Sequence, residues 1–267
     1  MPLHLSPSFR EQLAASDRSL IGMWACSGSA LVTEVAAGSG LDWLLIDMEH
    51  SANTLESTLL QLQVVAAYPI TPVVRVPSND TVAVKQVLDL GAQNLIVPMV
   101  SSADEARAAV SATRYPPEGV RGVGSALARS ARWNRVDGYL RDSSHHTSLT
   151  VQIETAAGVE AATEIAAVDG VDAVFVGPSD LSASMGLLGQ QTHPDVVSAV
   201  ERVFAAVKAA GKRVGVNAFD PAAADAYISA GADFVAVGAD VALLARASEA
   251  LASRFIASSD VTARASY

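Results

Sequence analysis

An α/β chain closing into a single (β/α)8 (TIM) barrel is the fold that this sequence predicts, and three observations predict it. Eight short runs, apolar or β-branched, alternate with longer segments whose apolar residues recur at three- and four-residue spacing, the signature of parallel βα units. Glycine repeatedly follows the helical segment and precedes the next strand, in AAGSGLDW, DLGAQNL, KAAGKRV and SAGADF, where a C-cap belongs. The third observation is size: 267 residues, 50% of them apolar, can bury one large core. An open doubly wound sheet is the alternative for the same alternation. No linker or low-complexity stretch divides residues 1–267, which read as one barrel domain.

The strands are expected in order at LIGMWAC (20–26), WLLIDME (43–49), TPVVRVP (71–77), NLIVPMV (94–100), LTVQIET (149–155), DAVFVGP (172–178), RVGVNAF (213–219) and DFVAVGA (233–239). All lack a polar face, as strands covered on both sides do. Helical spacing is clearest over 54–68, 103–115 and 194–211. From Tyr115 to about Ser148 the rhythm breaks in a Gly-, Arg- and Ser-rich excursion too long for a simple connection. Such a segment covers a site or builds a subunit contact.

Composition removes several classes of function. A formal net charge of -10 and the lack of any basic tract argue against nucleic acid and against an anionic membrane. Cys26 is the only cysteine, so no intrachain disulfide can form and the reducing cytoplasm is the expected compartment. The opening MPLHLSPSFREQL lacks the pattern of an export signal. No run approaches the roughly 18 apolar residues of a membrane span.

In a parallel barrel the chemistry gathers where the strands end, because the following loops converge on one mouth. Strand two ends in Asp47, Glu49 and His50, strand three carries Arg75, strand five carries Gln152 and Glu154, and strand six runs into GPSD with Asp180. Asp180 alone would serve equally as a helix N-cap. Glu154 is a poor capping residue at an apolar strand end and calls for a cation. Two carboxylates on neighbouring strands, with no lysine in either, point to a hard divalent metal such as Mg2+ or Mn2+. Arg75 inside PVVRVP needs an anion, either a substrate carboxylate or enolate or a structural ion pair. His50 is a core histidine or, with a carboxylate beside it, a base.

The remaining residues exclude chemistry. Lys85, Lys208 and Lys212 fall in or beside helices, which leaves no strand-end lysine for a Schiff base. His4, His145, His146 and His193 fall in terminal or loop segments, so a three-histidine zinc site is hard to assemble. Cys26 has no base beside it, and RGVGS (121–125) is a weak sign of an anion nest.

The segments DWLLIDMEH, PVVRV, LIVPMV, ATRYPPEGVRGVGSALARSARWN, VQIET and FVGPSDLSASMG, in this order and spacing, closely resemble the HpcH/HpaI family of class II pyruvate aldolases. The likeness runs from about Ile21 to Phe255. It implies a barrel of the phosphoenolpyruvate/pyruvate-domain type whose last helix is exchanged between subunits, assembled as a homo-hexamer, a trimer of dimers. It implies that Glu154 and Asp180 bind a divalent metal (Mg2+, Mn2+ or Co2+), and that Gln152 and Ser179, with Gly177 and Pro178 of the same motif, meet the 2-oxo acid. It implies that Arg75 stabilises the pyruvate enolate, that His50 is the base, and that Asp89 of a neighbouring subunit raises its basicity. Asp47 and Glu49 match further acidic positions.

The expected reaction is reversible cleavage of a 4-hydroxy-2-oxo acid to pyruvate and an aldehyde, with 4-hydroxy-2-oxoheptanedioate or a 2-dehydro-3-deoxy sugar acid as examples. Met48 replaces a usual glycine, and WACSGSA and GVNAFD also depart from the pattern; these segments are expected to face the aldehyde half. Two other readings keep the barrel: a malyl- or citramalyl-CoA-type lyase, and a catalytically silent oligomeric module.

Overall fold

The structure, a computed structural model, describes residues 3–256. Eight parallel strands close into a barrel in sequence order: β1 (Leu20–Ala25), β2 (Trp43–Asp47), β3 (Thr71–Arg75), β4 (Asn94–Val97), β5 (Ser148–Ile153), β6 (Ala173–Val176), β7 (Arg213–Asn217) and β8 (Phe234–Ala239). Closure is completed by pairing of β1 with β8. The open-sheet alternative is thereby set aside.

Among the described residues twelve α-helices accompany them: α1 (Phe9–Ala15), α2 (Ala30–Ala37), α3 (Leu55–Val64), α4 (Thr81–Asp89), α5 (Ala103–Thr113), α6 (Tyr139–His146), α7 (Ala156–Glu160), α8 (Ala162–Ala166), α9 (Pro178–Ser184), α10 (Pro194–Ala209), α11 (Pro221–Ser229) and α12 (Asp240–Phe255). Most begin at a side-chain cap. Ser29, Thr54, Asp80, Ser102, Thr155 and Asp220 each accept a backbone N–H of the first turn, satisfying donors that the helix itself cannot.

All eight expected strands are present, but several stop short of the expected ends. Glu49 lies two residues past the end of β2, and Glu154 follows the last residue of β5, because ladder pairing ends where the chain turns toward the mouth. The helix expected over 54–68 ends at Val64 and continues as a short 3-10 turn. The excursion after Tyr115 contains α6, so His145 and His146 lie in a helical last turn and not in a loop. Lys85 and Lys208 fall in α4 and α10, and Lys212 lies between α10 and the first residue of β7, so none of the three stands at a C-terminal strand end.

Two apolar layers result. Between strands and helices lies a Val-, Ala-, Leu- and Ile-rich shell. The barrel interior is aromatic, with Trp43, Phe175 and Phe234 in contact and Phe9 of α1 closing the lower end at 5.5 Å from Trp43 and 5.2 Å from Phe234. Gly22 faces Trp43, and Gly215 faces Phe234, so closely that a Cβ at either glycine would occupy the ring. Large rings opposite glycines thus fill the interior. Among the described residues no helix is long and apolar enough to cross a membrane. Helix α12 buries only Asp240, and Leu243, Leu244, Leu251 and Phe255 are exposed along it.

Candidate active site

Strand alternation sends residues i, i+2 and i+4 to one face, so the interior of β2 carries Trp43, Leu45 and then Asp47, and the interior of β3 carries Val73 and then Arg75. The register pairs Asp47 with Arg75 across the two strands. Both are buried, at 1% and 4% exposure, and the Arg75 Nε donates to Asp47 Oδ1 at 2.8 Å. Asp47 also accepts the backbone N–H groups of Glu49 and His50 at 3.0 and 3.2 Å. One carboxylate therefore fixes the guanidinium and shapes the turn that presents the next two polar side chains.

Arg75 has two further neighbours. Its guanidinium lies 4.3 Å from the centre of the Trp24 ring, and its Nη1 lies 2.9 Å from Glu49 Oε2. The second approach is too oblique for a hydrogen bond, which leaves Glu49 Oε2 buried and unsatisfied. Burial works against the charged form of Arg75, but hydrogen bonding to Asp47 and the charges of Asp47, Glu49 and Glu154 hold its pKa above the ordinary value. Within the chain its anions are thus Asp47 and Glu49.

Glu154 stands just past β5 and is 2% exposed. Its Oε1 accepts the Met99 backbone N–H at 2.7 Å, and its Oε2 accepts Gln152 Nε2 at 2.5 Å. Met99 reaches this position from a left-handed backbone, φ 57°. Burial pushes the Glu154 carboxyl up to about 7; the charges of Glu49 and Asp180 add to the rise, while the Met99 N–H and Arg75 oppose it. Glu49 is raised as well, chiefly by burial.

Gly177 follows the last residue of β6 and lies against this pair. A Cβ there would lie 2.7 Å from Glu154 Oε2 and 2.9 Å from Gln152 Nε2, so only glycine lets β6 approach. Pro178 then opens α9, whose fixed φ suits the first helical position. Ser179 and Asp180 are exposed on that first turn, and the Ser179 hydroxyl donates to Gln191 at 2.7 Å.

His50 lies on the rim, its side chain 65% exposed, with Glu49 Oε1 3.9 Å from Nε2. Asp89, at the end of α4, instead accepts Arg121 Nη2 at 3.0 Å. Among the described residues no hydrogen bond joins Asp89 to His50. The chain therefore brings Asp47, Glu49, Arg75, Gln152, Glu154 and Asp180 to one mouth, with His50 at its edge and Asp89 on the outer ring.

A divalent cation suits the donors present. Among the described residues no group of three or more His, Cys, Asp or Glu side chains is arranged to hold a metal. Even so, the charge of Asp180 reaches Glu154 and raises its pKa, and Gln152 Oε1 and Glu49 Oε2 are buried acceptors without a hydrogen bond. Oxygen acceptors in excess of donors are the environment of a hard cation.

Residues outside the expected set complete the site. Trp24 Nε1 donates to Asn217 Oδ1 at 2.8 Å, which joins the two segments that depart from the family pattern. Asn53 Nδ2 binds the carbonyls of Ala25 at 2.9 Å and Asp47 at 2.6 Å. Asp240 accepts the backbone N–H groups of Cys26 and Ser27 at 2.8 and 3.1 Å. The Cys26 thiol is pushed up to about 12, mainly by burial, then by Asp47 and Asp240, so it is no nucleophile near neutral pH. An indole at the end of a barrel strand was the available signal for Trp24; the other contacts span too much sequence to be read locally.

The family model described as HpcH/HpaI aldolase/citrate lyase matches residues 20–247. A relative from Salmonella dublin, named 4-hydroxy-2-oxo-heptane-1,7-dioate aldolase, is 51% identical over 248 residues, 93% of this chain and 94% of that protein. A crystal structure of an HpcH/HpaI aldolase/citrate lyase family protein from Burkholderia cenocepacia J2315 is 42% identical, covers 93% of this chain and 98% of its own, and superposes with a TM-score of 0.88. The HpcH/HpaI aldolase from Desulfitobacterium hafniense DCB-2 is 29% identical with a TM-score of 0.84, covering 95% and 99%.

Proposed function

The chain belongs to the HpcH/HpaI aldolase/citrate lyase family, and on that premise we propose that it reversibly cleaves a 4-hydroxy-2-oxo acid to pyruvate and an aldehyde. It is a carbon–carbon lyase of the class II type. Substrates of the 4-hydroxy-2-oxoheptanedioate or 2-dehydro-3-deoxy sugar acid kind fit this reading. The carrying observation is Arg75, buried at the barrel mouth, anchored by Asp47 and close enough to Glu154 to feel its charge.

Glu154 and Asp180 would hold a divalent cation (Mg2+, Mn2+ or Co2+), which supplies Lewis-acid stabilisation of enolate charge. Gln152, Ser179, Gly177 and Pro178 border the place of the 2-oxo acid. Arg75 offers a preorganised positive charge to the oxygen that becomes anionic as the C3–C4 bond breaks. Its position costs nothing further at that moment, because Asp47 and Trp24 already hold it. His50 takes the proton of the C4 hydroxyl; the bond's electron pair passes to the pyruvate enolate and C4 becomes the aldehyde carbon. Such general-base help is worth on the order of 100- to 10,000-fold.

Glu49 is the carboxylate that this chain itself sets near the His50 ring. Asp89 would join it from a neighbouring subunit, a role that rests on the resemblance to family members. The apolar side chains along α12 support exchange of that helix between subunits in a homo-hexamer, a trimer of dimers, since an exposed apolar stripe calls for a partner. The small-molecule substrates and the single cysteine favour a cytoplasmic setting. The named relative is an aldolase, so the CoA-thioester reading is the less supported one.

The test is pyruvate release, coupled to lactate dehydrogenase, across a panel of 4-hydroxy-2-oxo acids. Activity lost with EDTA and with Glu154→Ala, and restored to the wild type by Mg2+, Mn2+ or Co2+, is expected. Turnover that survives both treatments overturns the metal assignment.

A further inference from the structure

We propose that a cavity on the barrel face opposite the mouth is a binding site for a phosphate-class oxyanion, held by Arg129 and Arg132. The cavity, about 260 Å³, lies among Ser6, the end of α3, the first residues of β3 and β4, and Gly91. That is room for more than the roughly 30 Å³ share of one water. No aspartate or glutamate lines it, but two arginines do, together with Gln12, Thr71 and Gln93.

The two guanidiniums converge. A Cβ on Gly91 would lie 2.8 Å from Arg129 Nη1 and 2.9 Å from Arg132 Nη1, and Gly91 itself has φ +93°. Both nitrogens therefore meet over one backbone position where the conformation and the space suit glycine. Burial holds both groups below the ordinary arginine value, Arg129 down to about 10, and the charge of Arg132 adds to the effect on Arg129.

Arg129 and Arg132 are half-buried, and the two fully buried arginines differ from them. Arg75 faces Asp47 and Glu49, and Arg121 faces Asp89. Among the described residues neither Arg129 nor Arg132 has a carboxylate partner. Like charges drawn together in a partly dry cavity are unfavourable unless an anion joins them.

Local structure accounts for only some of the donors. Arg129 ties two helix ends, donating from Nη1 to the Leu90 carbonyl at 3.0 Å and from Nη2 to the Leu62 carbonyl at 3.3 Å. Arg132 makes one bond, from Nη1 to the Arg129 carbonyl at 2.5 Å. A guanidinium has five N–H donors, so both retain capacity. Two guanidinium forks converging on one point match an oxyanion with several equivalent acceptors better than a single carboxylate. The cavity adjoins the N-terminal ends of β3 and β4, so its ligand does not compete with substrate at the opposite end. The inference stands apart from the aldolase reading.

Inorganic phosphate is the probe, titrated calorimetrically into the assembled enzyme at constant ionic strength maintained with chloride. Saturable heat is expected, with a melting temperature raised by roughly 3–5 °C at about ten times the Kd and substrate KM unchanged. Arg132→Gln removes the arginine with the fewer bonds to the fold and should weaken phosphate binding at least tenfold with an unchanged circular dichroism spectrum; Arg132→Lys should fall between. No saturable phosphate heat in the wild type overturns the proposal, whether or not the variants fold. So does equal affinity in wild type, Arg132→Gln and Arg129→Gln, or phosphate that only competes with substrate.

Discussion

The guanidinium of Arg75 lies 4.3 Å from the centre of the Trp24 ring, and the same indole donates its N–H to Asn217. Strands β1, β3 and β7 are thereby tied together at the level where the barrel opens. A cation over a partly desolvated indole is held by up to about 2 kcal/mol.

Trp24→Ala should therefore loosen Arg75 more than it loosens the barrel. The expected result is a fall in kcat/KM of about tenfold or more, while Trp24→Phe keeps most of the activity. Steady-state kinetics of pyruvate release measure it. An alanine variant with wild-type kcat/KM would show that Asp47 alone positions Arg75.

Asp47 is the buried partner of a buried cation, and removing one member of such a pair costs about 3–5 kcal/mol. Asp47→Ala also frees the backbone N–H groups of Glu49 and His50. The variant should lose both thermal stability and activity, read by calorimetry and by the coupled assay. Loss of activity without loss of stability would contradict the anchoring role.

Glu154 brings a pH dependence whose sign follows from its elevated pKa. The folded value, about 7, lies above the ordinary 4.5, so the folded metal-free protein binds more protons than the unfolded chain between those limits. Stability from this group is therefore present at the acidic end and declines as pH rises from 4.5 through 7, by about 3 kcal/mol in all. Glu154→Gln should flatten that decline in the metal-free protein. Denaturant melts between pH 5 and 8, in EDTA, provide the comparison; equal slopes in the two proteins would refute it.

A methyl group at Gly177 would press on Glu154 Oε2 and Gln152 Nε2. Gly177→Ala should leave the circular dichroism spectrum intact yet weaken divalent-cation binding, with activity reduced at least tenfold on the scale of one displaced polar group. Titration calorimetry with Mn2+ gives the affinity directly. Unchanged Mn2+ affinity would mean that the carboxylate can retreat without loss.

Much of this molecule was determined by local pattern. The eight apolar runs, the helix caps such as Asp80 and Asp220, and the gathering of Asp47, Arg75, Glu154 and Asp180 at strand ends follow from periodicity and from burial, because a charge in an apolar run must find a partner. What only the tertiary structure decided is which partner. Asp47 anchors Arg75; Met99 satisfies Glu154 from a left-handed turn; Trp24 meets Asn217 across the barrel; Arg121 takes Asp89; and two arginines 3 residues apart share a cavity with Gly91. Those contacts depend on barrel closure, which brings residues nearly 200 positions apart within hydrogen-bond reach, and no local propensity encodes a distance that only the closed sheet creates.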